Sequence, residues 1–151
     1  AYDLHTIGAF NPFAHFFNGA LIHLAAVQRV GNVDRDFFIV GDEVDYFFRL
    51  REVGSVISVL KAKHYHPDVS RRPYTPAKIY YYVKNTLVLN RRYFNAVGVR
   101  NVLTVGAALG RTASRNGVRE ALSYVGGRNT KVLGAAIRRG LQGKVGKDFH
   151  G

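Results

Sequence analysis

Apolar positions along this chain change period several times, and each change marks an element. From Leu21 to Val30 they fall at 21, 22, 24, 25, 26, 27 and 30, which predicts a short, largely buried helix stopped by Gly31-Asn32. The first seventeen residues are aromatic and interrupted at Phe10-Asn11-Pro12-Phe13, so a loop or a broken strand is expected there. Phe37-Phe38-Ile39-Val40 is a brief apolar run closed by Gly41 and two acids, a buried element leading into a helix. That helix is predicted over Asp42 to Val53: first-turn carboxylates suit the positive end of its dipole, and Gly54 ends it. Ser55 to Leu60 is β-branched and apolar and predicts a strand, carried on through Lys61 to His66 and closed by Pro67.

The second half reads differently. A basic, Pro-punctuated loop runs from Asp68 to Pro76, then a long aromatic helix from Ala77 to Phe94. Three further helices are expected near 99–110, 116–124 and 130–142, separated by Gly-rich breaks. A mixed first half, over residues 1–70, and a helical, basic extension, over 71–151, follow, which is not a complete α/β domain.

Composition sharpens this picture. At 151 residues and 47% apolar, the chain is large enough for a real core. It has no apolar stretch of about 18 residues, so no bilayer-spanning helix is predicted. With no Cys there is no disulfide framework, thiolate zinc site or thiol nucleophile, in keeping with a reducing cytoplasm. The opening Ala1-Tyr2-Asp3-Leu4-His5 has neither Met nor a basic region followed by an apolar one, so the chain is expected to be a portion of a longer protein.

The charge is split. Residues 1–66 hold six Lys and Arg against seven Asp and Glu, whereas residues 67–151 hold sixteen against three. Such a block attracts polyanions: nucleic acid, anionic lipid or diphosphates. Tyr74, Tyr80, Tyr81, Tyr82, Tyr93 and Phe94 interleave with cations, but no nucleic-acid motif accompanies them, and nucleic acid is not the expected partner. Lys131 to Leu141, with Lys144 and Lys147, forms an amphipathic cationic helix suited to resting on anionic lipid or to packing on a neighbouring domain.

The chemistry-bearing stretch is Phe16 to His66. In order it holds Asn18-Gly19, then Gly31-Asn32-Val33-Asp34-Arg35-Asp36-Phe37-Phe38, then Asp42-Glu43-Val44-Asp45 with Arg49 four residues on, and finally His66. This order and spacing resembles the C-terminal half of the catalytic domain of glycosyltransferase family 2, in particular bacterial rhamnosyl- and galactofuranosyltransferase-type members. The likeness continues more loosely through Tyr80-Tyr81-Tyr82-Val83-Lys84-Asn85, where many members have Arg in place of Lys84.

The resemblance implies an α/β, partial GT-A (Rossmann-like) catalytic domain and inverting transfer of a sugar from a nucleotide-diphosphate sugar to an acceptor hydroxyl on a polysaccharide or lipid-linked glycan. By register Glu43 takes the position of the base, with Asp42 beside it. The family more often has Asp at that second position, which leaves the choice between the two acids open. Asn18, Gly19, Asp45 and Arg49 fall at substrate-side positions, although Asp45 and Arg49 at four-residue spacing also suit a helix-bracing ion pair. His66 is implied as a ligand of a divalent cation, Mg or Mn, bridging the diphosphate. His64 shares its strand face by alternation. Work at the inner face of the plasma membrane is the expected setting.

Physical chemistry asks for the same groups. The acceptor hydroxyl must lose a proton as it attacks, and the departing diphosphate needs positive charge. Asp34-Arg35-Asp36 has the letters of the metal-binding Asp-x-Asp of these enzymes but precedes Phe37-Phe38, so it reads as loop structure. The true motif, and the nucleotide-binding half, are expected upstream of Ala1. The other class of function carried by this sequence is a non-enzymatic polyanion-binding module on membrane or RNA.

Overall fold

The computed structural model describes residues 2–3, 19–58, 65 and 72–149. Among these, the chain forms six helices: α1 (Leu24–Val30), α2 (Asp42–Arg51), α3 (Pro76–Tyr93), α4 (Val97–Asn116), α5 (Val118–Gly126) and α6 (Thr130–Leu141). Strand is confined to β1 (Tyr2–Asp3) and β2 (Ile57–Ser58), a two-residue antiparallel pair with Tyr2 opposite Ser58 and Asp3 opposite Ile57.

This overturns the expected α/β, Rossmann-like architecture. A Rossmann-like domain needs parallel strands joined by crossover helices, and among the described residues there is no strand beyond that short pair. The apolar run at 37–40, expected as a buried element leading into a helix, adds no strand. It forms successive tight turns, in which Phe38 N–H donates to Asp36 O and Val40 N–H to Phe38 O, with Ile39 left-handed at φ 68°. The carbonyls of Phe38 and Val40 are satisfied by the amide of Asn85 at 3.2 and 2.6 Å instead of by a neighbouring strand.

The chain divides into two compact units, residues 1–34 with 42–68, and residues 35–41 with 69–151. In the first, α1 packs on α2. Its core is Tyr46, Phe47 and Leu50, covered by Ile22, Ala26, Val30, Val33 and Val56.

In the second, α3 packs on α4 and α6, and α5 closes the ring by packing on α4 and α6. α3 starts from an N-cap at Thr75, whose hydroxyl accepts from Lys78 N–H at 3.2 Å, with Pro76 in the first turn. It is buried nearly all round, through Ile79–Tyr81, Val83–Asn85 and Leu87–Asn90. Polar pairs fix α4 antiparallel to it at both ends. Asn116 exchanges two hydrogen bonds with the Tyr74 backbone, while Asn90 donates to Asn101 and Thr104.

Two glycines are sterically required in this unit. A Cβ on Gly140 would lie 2.8 Å from both Leu87 Cβ and Lys84 O, so α6 can approach α3 only without one. Gly41 has φ 105°, and a Cβ there would press within 3.1 Å of Phe37.

Candidate functional site

Asp42 and Glu43 occupy the first turn of α2, followed by Asp45. Both are half-buried. At about 100° per residue, Asp42 shares a face with Asp45 and Arg49, and Glu43 lies about a quarter turn round. Asp45 is only 1% exposed.

Arg49 uses its whole planar fork. Its Nε donates to Asp45 Oδ2 at 2.9 Å, Nη1 to the Val30 carbonyl at 2.8 Å, and Nη2 to the Asn32 carbonyl at 3.0 Å. Its guanidinium also lies 5.1 Å from the centre of the Tyr46 ring. The turn that ends α1 at Gly31 (φ 77°) is thus tied to the body of α2. In this arrangement the Asp45–Arg49 pair braces the helix and its neighbouring turn.

The other sequence-expected residues fare differently. Gly19 lies in an exposed turn with φ 99°. Asn18, His64 and His66 lie outside the described residues. Asp36 is exposed, and its carbonyl accepts from Gly146 N–H at 2.7 Å, which gives Asp34-Arg35-Asp36 a loop setting. Among the described residues no three His, Asp or Glu side chains gather as a metal-ligand set.

A cleft of about 340 Å³ opens in the first unit between α1 and the end of α2, lined by Leu21, Ile22, His23, Arg29, Leu50 and Val56 among others. It carries no carboxylate. Leu50 is eight residues along α2 from Asp42, about 12 Å at the helical rise, so this cleft and the acid pair sit at opposite ends of the helix.

The second unit holds a polar cluster that the sequence reading did not pick out. Lys84 is fully buried and donates to Asp148 Oδ1 at 2.6 Å and to the Gly146 carbonyl at 2.7 Å. Arg139 and the Tyr80 hydroxyl also donate to Asp148. The Tyr81 hydroxyl accepts the backbone N–H groups of Asp148 and Phe149, both at 3.0 Å. The segment after α6 is thereby clasped onto α3.

Burial acts to raise the Asp148 carboxyl, but hydrogen bonds from Lys84 and Arg139, with the Lys84 charge, outweigh it and hold the group below the usual carboxylate range. Burial first, and the bond to Asp148 second, push the Tyr80 hydroxyl up to about 12. A signal for this cluster was present in the sequence. Lys84 sits inside an apolar helical stretch, and residues 67–151 offer only Asp68, Glu120 and Asp148 to partner it.

A smaller cleft of about 260 Å³ adjoins the clasp, bordered by Lys131, Arg138, Arg139 and Phe149. Neither cleft is lined by Asp42 or Glu43. No family model, no curated protein and no solved structure matches the chain.

Proposed function

We propose that this chain is part of a glycosyltransferase that moves a sugar from a nucleotide diphosphate to an acceptor hydroxyl with inversion, and that the acids opening α2 take the proton. The supporting observation is that motif pieces distant in the sequence are joined in pairs. Arg49 binds the backbone on either side of Gly31, the start of the Gly31–Phe38 piece. Asn85, from the Tyr80–Asn85 piece, holds the carbonyls that follow Phe37 and Phe38. Within the first unit, the Arg49 contacts brace the helix whose first turn carries Asp42 and Glu43, as suits a base that must be held within hydrogen-bond reach of a hydroxyl.

In the proposed step the acceptor oxygen forms a bond to the anomeric carbon as the bond from that carbon to the diphosphate breaks. The hydroxyl proton passes to Glu43 or Asp42, and the nucleotide diphosphate leaves. A divalent cation, Mg or Mn, belongs to the proposal as the partner of the leaving group. Lipid-linked or polysaccharide acceptors, a site of action at the inner membrane face, and a nucleotide-binding half elsewhere in the protein belong to it too.

A second reading, a non-enzymatic polyanion-binding module, is favoured by the cationic second unit, where Arg91 and Arg92 lie exposed in the last turn of α3. Transfer of labelled sugar by the full-length protein separates the two. On the glycosyltransferase reading, Glu43→Gln or Asp42→Asn lowers transfer by about 10²-fold or more, while Arg91→Ala with Arg92→Ala leaves chemistry largely intact. On the second reading, the arginine pair is essential and the acids are dispensable.

A further inference from the structure

The outward face of α4 is apolar from Val99 to Gly110. Val99, Val102 and Leu103 are 64%, 72% and 65% exposed, and Gly106, Ala107 and Gly110 continue the face. On α5, Val118, Leu122 and Val125 repeat at one-turn spacing and are 65%, 62% and 61% exposed. A helix that turns apolar side chains both to its core and away from it lacks a covering layer.

The two stripes lie on helices that pack on each other, α4 and α5. Glu120 and Ser123 of α5 face the start of α6, bonding to Asn129. Leu122 lies about 160° round α5 from Glu120, which turns it away from α6.

Charge selects what covers this face. Between residues 76 and 141 there are twelve Lys and Arg and one carboxylate, Glu120, which is already bonded to Arg128 and Asn129. Along the α3 edge of α4, Arg100, Arg111 and Arg115 lie over the rings of Phe94, Tyr82 and Tyr74 at 3.9, 4.9 and 4.5 Å. Arg119 flanks the α5 stripe and is exposed. An apolar strip bordered by arginines on aromatic rings matches the boundary of an anionic bilayer, where acyl chains meet negative head groups. A second copy of the chain would instead bring two cationic rims together. α6 offers no comparable stripe: Leu133, Ala136 and Gly140 are buried, and Leu141 at its end is its one large apolar side chain that is mostly exposed.

We infer that the α4–α5 face docks in the plane of an anionic lipid surface, without crossing it. The inference does not rest on glycosyl transfer. No helix among the described residues is long and apolar enough to span a bilayer.

The chain contains no Trp, so single reporters are clean. Leu103→Trp and Leu122→Trp variants should shift their emission to the blue with phosphatidylserine-containing vesicles and not with phosphatidylcholine alone. Leu141→Trp, on α6, should not shift. In co-sedimentation, Leu103→Asp with Leu122→Asp should weaken binding by about tenfold or more while the helical circular dichroism is unchanged. Three results would each overturn the inference. One is binding that survives the Asp pair. Another is a blue shift at Leu141→Trp alone. The third is a dimer in sedimentation equilibrium that the Asp pair dissolves, which would assign the face to a second copy.

Discussion

A buried side chain, Asn85, and a half-buried one, Asp148, carry much of the local order. Asn85 is fully buried and turns its NH₂ to the carbonyls of Phe38 and Val40. Asn85→Asp keeps the shape and replaces the donor with an acceptor facing two acceptors. It should lower stability by about 1–3 kcal/mol in urea unfolding, with the wild-type slope retained. Asp148 makes the clasp pH-dependent. Its pKa is lower folded than unfolded, so the stabilisation is present above the ordinary carboxylate range and is lost as the pH falls through the folded value. Tyr80 acts at the other end: its raised pKa means its contribution holds below the ordinary tyrosine value and is lost as pH rises toward about 12. Thermal melts from pH 6 downward should show an acid decline that Asp148→Asn flattens. An unchanged profile in that variant would remove the clasp from the acid response. These residues were only partly legible in the sequence. Lys84 in an apolar stretch signalled a buried cation, but its partner 64 residues away is a product of tertiary packing.

Helices with strong periodicity and clear ends were readable. Gly54 and Gly31 marked stops close to the ends of α2 and α1, whereas Pro76, expected to close the preceding loop, opens α3 behind the Thr75 cap. α4 runs past its expected range at both ends, to Val97 and Asn116, because Ala96 enters it from a left-handed turn (φ 53°) and Gly117 closes it. The strand expected from Ser55 reduces, in its described part, to Ile57–Ser58, since β-branching favours a strand only where a partner edge exists. Two glycines on different helices of the second unit make opposite predictions. Gly140→Ala forces a methyl into Leu87 and the Lys84 carbonyl and should destabilise by about 1–3 kcal/mol. A Cβ on Gly106 meets nothing within 4 Å, and Gly106→Ala should stabilise α4 by about 0.5–1 kcal/mol. Chemical denaturation of both variants checks the pair, and equal effects would contradict the packing described for α6.

Across the chain, the uneven charge was visible in the residue order, and the helical ring α3–α6 carries most of the positive excess. The Rossmann-like domain was expected because a family likeness supplied it, whereas the residue pattern itself predicted only the strand from Ser55. The acid pair was legible as a pair and as a helix start. Its chemistry depends on what stands opposite it, which residue types alone do not fix. The account therefore centres on Asp42 and Glu43 as proton acceptors at the first turn of α2. The direct test is the steady-state rate of sugar transfer by the full-length protein with Glu43→Gln and Asp42→Asn made singly. The account predicts that one of them lowers kcat by about 10²–10⁴-fold with KM little changed. Wild-type kcat in both variants would contradict it.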